Sequence, residues 1–148
     1  MIELIKNGPD GKPVGVGLSA VQVGKPIRLF VAKNTKNSQY QIFINPEIVQ
    51  KGKKLTSGVP ERENKFEGCL SIPRIFGLVK RPAWIKLKYQ TPEGRWQTKK
   101  FKGFFATILQ HEYDHLEGIL FTDLILKQKG AICRLEKTPE GEKLIEIN

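Results

Sequence analysis

Residues 104–117 carry a helical period that ties a polar trio to the hydrophobic core, and few folds can satisfy that demand. At about 100° per residue, Phe104, Phe105, Ile108, Leu109 and Leu116 fall in one stripe about 140° wide. Such a stripe faces a core, and Gly118 supplies the helix stop. His111, Glu112 and His115 project within or at the edge of the same sector, whereas Gln110, Tyr113, Asp114 and Glu117 fall outside it. Taking a carboxylate and two imidazoles out of water costs free energy. A helix that only packed would place apolar residues there, so the trio calls for a metal or a chemical role.

His111-Glu112-Tyr113-Asp114-His115 fits H-E-x-x-H, and these are the only two histidines of the chain. At i and i+4 two imidazoles share one helical face and can ligate one ion, with the intervening glutamate in reach of a water activated there. A catalytic metal typically takes three protein ligands and keeps a further position open. The residues alone leave the third ligand undecided. One choice is a downstream carboxylate, for which Glu136 is available in an expected strand. The other is Cys69 in Glu67-Gly68-Cys69-Leu70-Ser71, since a thiolate with two imidazoles suits Fe(II) or Zn(II). Taken singly, Cys69 and Cys133 both read as small buried hydrophobes.

Around this helix the sequence reads as strands and turns. Residues 27–32 are β-type after Pro26, and 40–44 form a second strand ended by Asn45-Pro46, with Ile48 opening another. Residues 51–65 read as an exposed loop. Ile85, Leu87 and Tyr89 alternate with Lys86 and Lys88, and Pro92-Glu93-Gly94 turns the chain into a partner strand over 95–102. The same turn chemistry at Pro139-Glu140-Gly141 pairs 132–137 with 143–147. Gly8-Pro9 and Gly11 break any helix after the first few residues, so 104–117 is the only convincing helix. The expected fold is α+β, with antiparallel sheets packed around the central H-E-x-x-H helix.

The chain's 148 residues suffice for one domain, 1–148, with a core of its own. No apolar run approaches the roughly 18 residues of a membrane span, the N-terminus has no secretory h-region, and two cysteines suit a reducing compartment. A cytoplasmic protein is expected. The surplus of 25 basic over 15 acidic residues gives +10, but the lysines are scattered and no nucleic-acid motif accompanies them. The charge reads as a solvated surface, compatible with work near the ribosome, and not as direct sequence-specific nucleic-acid binding.

Three segments together resemble the peptide deformylase family, whose motifs G-x-G-L-A-A-x-Q, E-G-C-L-S and Q-H-E-x-D-H follow one another in this order. Here they read Gly15-Val16-Gly17-Leu18-Ser19-Ala20-Val21-Gln22, Glu67 to Ser71, and Gln110 to His115, with Ser19 for alanine as the one departure. The resemblance implies one divalent ion on Cys69, His111 and His115, Fe(II) first, with zinc, nickel or cobalt as substitutes. It implies a hydrolase that removes the formyl group from the initiator methionine of nascent polypeptides. Glu112 would take the proton of the attacking water and pass it to the departing amine. The Gln22 amide and the Leu70 backbone N–H would hold the oxyanion. Val16, Gly17, Gly68, Phe104 and Ile108 would bind substrate, the peptide adding as a strand near Val16-Gly17. A dinucleotide-loop reading of the glycines fails, since no strand precedes them and the segment leads into a strand, not a helix. Asp114, off the metal face, is assigned structural hydrogen bonding.

Family members carry a longer leader with a full helix before the first motif, where 14 residues stand here. Residues 1–6 are therefore expected either to be the last turns of that helix or to begin a shortened chain, with one sheet face underpacked in its absence. From 130 onward a hairpin replaces the long terminal helix common in bacterial members. Two other readings compete: an H-E-x-x-H metallopeptidase that uses a downstream carboxylate, and a non-catalytic ribosome- or RNA-associated relative.

Overall fold

The alternation at 84–90 becomes a strand whose Ile85, Leu87 and Tyr89 are buried, and the rest of the architecture is built outward from it. The computed structural model describes residues 1–8, 10–12 and 15–148; Pro9, part of the expected early turn, lies outside the described residues. In chain order the elements are α1 (Ile2–Lys6), β1 (Gly17–Ser19), a 3-10 turn (Ala20–Val23), β2 (Leu29–Asn34) and β3 (Gln39–Lys51). Then come β4 (Glu67–Cys69), β5 (Ile72–Gly77), β6 (Trp84–Gln90), β7 (Trp96–Lys102), α2 (Gly103–Leu116), α3 (Phe121–Lys127), β8 (Ile132–Thr138) and β9 (Gly141–Glu146). One sheet has five strands in the order β1-β2-β3-β6-β7 and the other has four, β4-β5-β8-β9. All pairings are antiparallel, and with α2 between the sheets the class is α+β.

Four departures from the sequence reading are local. The second strand does not end at Asn45-Pro46 but continues to Lys51, with a register shift between Ile44 and Glu47. A bulge is where a strand tolerates proline, which has no N–H to give the ladder, and Asn45 takes the left-handed φ of 47° there. Helix 104–117 is not alone: α3 packs Phe121 and Ile125 into a second cluster with Val79 and Ile132. The first motif leads into a 3-10 turn before the next strand. The loop expected at 51–65 is largely exposed, yet Val59 drops into the main core.

That core lies between the five-stranded sheet and α2, with Phe30, Phe43, Ile85, Leu87 and Leu109 fully enclosed. The Phe30 and Phe43 rings stack at 5.1 Å. On the other face of the same sheet α1 buries Ile5 completely against Leu18 and Val31, so this patch is covered. No helix among the described residues is long and apolar enough to cross a membrane.

Candidate active site

Helix α2 opens at Gly103, whose φ of 68° turns the chain off β7. Its first turn is capped from a distance: the Phe104 N–H donates to Glu61 Oε2 at 2.7 Å. At the far end Gly118 adopts a φ of 72°, which lets the last carbonyls be closed off by returning N–H groups. Between these stops His111 and His115 stand one turn apart with ring centroids 5.1 Å from each other.

Strand β4 brings the thiol. Residues two apart on a strand share a face, so Glu67 and Cys69 turn toward α2 while Gly68 sits under the Phe76 ring, which a Cβ there would strike at 2.6 Å. Cys69 Sγ lies 3.3 Å from His115 Nε2. One ligand atom each from Cys69, His111 and His115 falls within 4.8 Å of the others, the single such group among the described residues. Burial pushes the Cys69 thiol up, but bonding from His111, His115 and the Ser71 N–H outweighs it and brings the thiol down to about 5. A thiolate at neutral pH beside two imidazoles is a donor set that fits a divalent cation of intermediate softness. Glu136, the other third-ligand candidate, pairs with Arg134 on β8 and takes no part in this group.

Behind the ligands lies a buried ionic cluster built on Arg81, which is 3% exposed. Its Nε and Nη2 donate to the two Glu67 oxygens at 2.7 and 3.0 Å, and its Nη1 donates to Asp114 Oδ2 at 2.8 Å. Glu67 Oε1 in turn stands 2.8 Å from His111 Nδ1, which orients that ring so that its other nitrogen faces the thiol. Burial would raise the Glu67 carboxyl, yet Arg81 and His111 together bring it down to about 2. Burial would lower His111, but its hydrogen bonds with Cys69 and Glu67 hold it up to about 10. Asp114 thus does the structural bonding assigned to it. Gln110, placed outside the core sector by the helical projection, is buried: its Nε2 donates to the Pro82 carbonyl at 3.0 Å and so fastens the residue next to Arg81 onto the helix. Arg81 was not singled out from sequence, and Gln110 entered only as the first residue of the third motif, with no role assigned. Gln110 had a signal, standing just before the first histidine, whereas Arg81 looked like one more surface charge.

Glu112 is 5% exposed. Burial raises its carboxyl against the opposing pull of His111, Ser19 and His115. The Ser19 hydroxyl lies 2.8 Å from Glu112 Oε2, and the Ser19 N–H donates to Gln22 Oε1 at 2.8 Å. That bond turns the Gln22 amide nitrogen toward Ser71 Oγ, at 2.8 Å, and toward Cys69 Sγ, at 3.7 Å. A cleft of about 410 Å³ opens over these groups, lined by Val16, Gly17, Gly68, Leu70, Phe104 and Ile108 as well as Gln22, Glu112 and two of the ligands. Only His115, below the others, does not reach it. The cleft runs between β1 and β4, and each of these is the outermost strand of its sheet. Every residue assigned from sequence to metal, catalysis or substrate is therefore gathered in one place.

The chain is similar to known proteins in both sequence and fold. A family model described as polypeptide deformylase matches residues 1–131. A peptide deformylase of Rhizobium meliloti is 42% identical, over 98% of this chain and 80% of its own length. One of Brucella suis is 46% identical over 78% of this chain, and the match spans 63% of that relative, somewhat less than two thirds. Among solved structures, the peptide deformylase of Thermotoga maritima superposes with a TM-score of 0.66 at 38% identity, covering 74% of this chain and 69% of that one.

Proposed function

The chain belongs to the peptide deformylase family, and on that premise we propose that it hydrolyses the N-formyl group of formyl-methionyl peptides, releasing formate and a free amino terminus. The observation that carries the reading is the convergence of Cys69, His111 and His115 within 4.8 Å, with the Glu112 carboxylate opening on the same cleft. Those three residues would hold one divalent ion, iron(II) in the cell with zinc, nickel or cobalt as substitutes. When bound, the ion supplies Lewis-acid activation of water and of the formyl carbonyl.

The chain's own groups do the rest. The peptide lies extended along the free edge of β1, its methionine side chain in the apolar part of the cleft formed by Val16, Phe104 and Ile108. Gly17 and Gly68 keep the cleft walls low there. Glu112 removes a proton from the attacking water and delivers it to the amine nitrogen as the C–N bond breaks, a general base turned general acid. Burial, which raises its carboxyl, brings it nearer to the working pH. The Gln22 Nε2 and the Leu70 backbone N–H donate to the oxygen that gains charge. A cytoplasmic setting close to the ribosome fits such a substrate.

The decisive experiment is release of formate from a formyl-methionyl peptide by anaerobically purified, iron-loaded protein. No formate from protein shown to carry metal overturns the proposal. Glu112→Gln is expected to lower kcat by about a thousandfold, and Gln22→Leu by about a hundredfold. Turnover by the Glu112 variant at the wild-type rate overturns the mechanism.

A further inference from the structure

Ser19 is the one residue of the first motif that departs from the family pattern, and it is completely buried. Its hydroxyl oxygen lies 2.8 Å from Glu112 Oε2 and also 2.8 Å from the Glu112 backbone oxygen. A hydroxyl has one proton to donate. The backbone oxygen sits inside α2, where the helical ladder already satisfies it, so the proton is best directed at the carboxylate.

The two carboxylate oxygens then stand in unlike positions. Oε2 has Ser19 as its recorded side-chain partner. Oε1 lies beside Gly17, where any Cβ would come within 2.8 Å of it. Among the described residues no buried side-chain nitrogen or oxygen lacks a hydrogen-bond partner, so Oε1, which has none among those residues, is the oxygen open to the cleft. We infer that Ser19 is a positioning residue that ties down Glu112 Oε2 and leaves Oε1 as the oxygen that takes and returns the proton. Gly17 contributes by leaving the space that Oε1 occupies. An alanine at this position, as in the motif quoted above, would offer no such tether, and the inference rests on the proposed deformylase function.

The test uses the metal-loaded full chain and a formyl-methionyl peptide. Ser19→Ala removes the tether and keeps the backbone bond to Gln22. It is expected to lower kcat about tenfold, with KM within about twofold, because a side chain free to turn spends less time in the reactive geometry. Metal content stays at the wild-type level and Tm falls by no more than a few degrees. Ser19→Thr, which keeps the hydroxyl, is expected to hold kcat within about threefold of wild type. An unchanged kcat in Ser19→Ala overturns the inference, as does a kcat that falls only in proportion to lost metal or lost folded protein. A well-folded, metal-loaded Ser19→Thr as slow as Ser19→Ala also overturns it. If Ser19→Thr does not fold, the Ser19→Ala rates decide alone. Absence of formate from the wild-type protein defeats the deformylase reading instead, so the two failures are told apart.

Discussion

Arg81 and Arg134 each face a glutamate, and the two pairs teach opposite lessons. The Arg81 and Glu67 side chains are 4% and 5% exposed, whereas those of Arg134 and Glu136 on β8 are 54% and 40% exposed. Water screens the second pair, and such contacts contribute roughly 0–1 kcal/mol. The first pair has given up its hydration, so each lone pair and proton needs a partner. It has them: Arg81 also reaches Asp114, and Glu67 also reaches His111. The buried set is thereby a rigid bracket between β4, the segment before β6 and α2, and its outlet is a histidine ring aimed at a metal position. The hairpin pairs aim nothing.

That contrast is open to breakage at several points. Arg81→Met should cost about 3–5 kcal/mol in urea unfolding, because the buried Glu67 and the partly buried Asp114 lose their counter-charge. A loss below about 1 kcal/mol would place Arg81 in the same class as Arg134. Glu67→Gln keeps the shape but weakens the hold on His111, and metal affinity should fall about 10–100-fold in a chelator competition.

Glu61 is as exposed as the hairpin glutamate, with a side chain 44% exposed, yet it is bonded to the first turn of α2. Glu61→Gln should cost about 0.5–1 kcal/mol in thermal unfolding. The Phe104 N–H holds the Glu61 carboxyl below its ordinary 4.5. The folded state thus favours the ionised form, and this contribution is present above that ordinary value and lost as the pH falls through the lower folded one. The gap between wild type and Glu61→Gln should therefore narrow as melting is followed from about pH 6 to about pH 3. Arg134→Gln should change stability by no more than about 0.5 kcal/mol, and a larger drop would show that the hairpin is more than a solvated flap.

The legibility of the molecule follows the same division. Whatever depends on periodicity or on a short motif could be read directly: α2 and its stop, the β6–β7 and β8–β9 hairpins, and the His111–Glu112–His115 group on one helical face, to which Cys69 was added only by the family resemblance. Their signals lie within a few residues of one another. Arg81 could not be read, because a lone arginine between Lys80 and Pro82 resembles any surface charge until the chain brings Glu67 and Asp114 around it. Gln110 was misplaced because the projection ranks residues by an apolar stripe, while α2 is enclosed on more than one side. Helix α3 spans seven residues, too short for a period to declare itself, and its cue was Asp123 accepting the Leu120 N–H at 2.9 Å. The strand through Asn45-Pro46 needed a bulge, which only pairing with β6 makes visible.

The cleft between the open edges of β1 and β4 also says something about time. A strand-shaped slot admits only a chain end whose backbone is extended and whose own N–H and C=O groups are still unpaired. An amino terminus that has entered a helix or a sheet has spent those groups elsewhere. On the proposed function, the window for reaction closes when the first residues of the substrate fold, so the race that matters for this protein is against its substrate's own secondary structure.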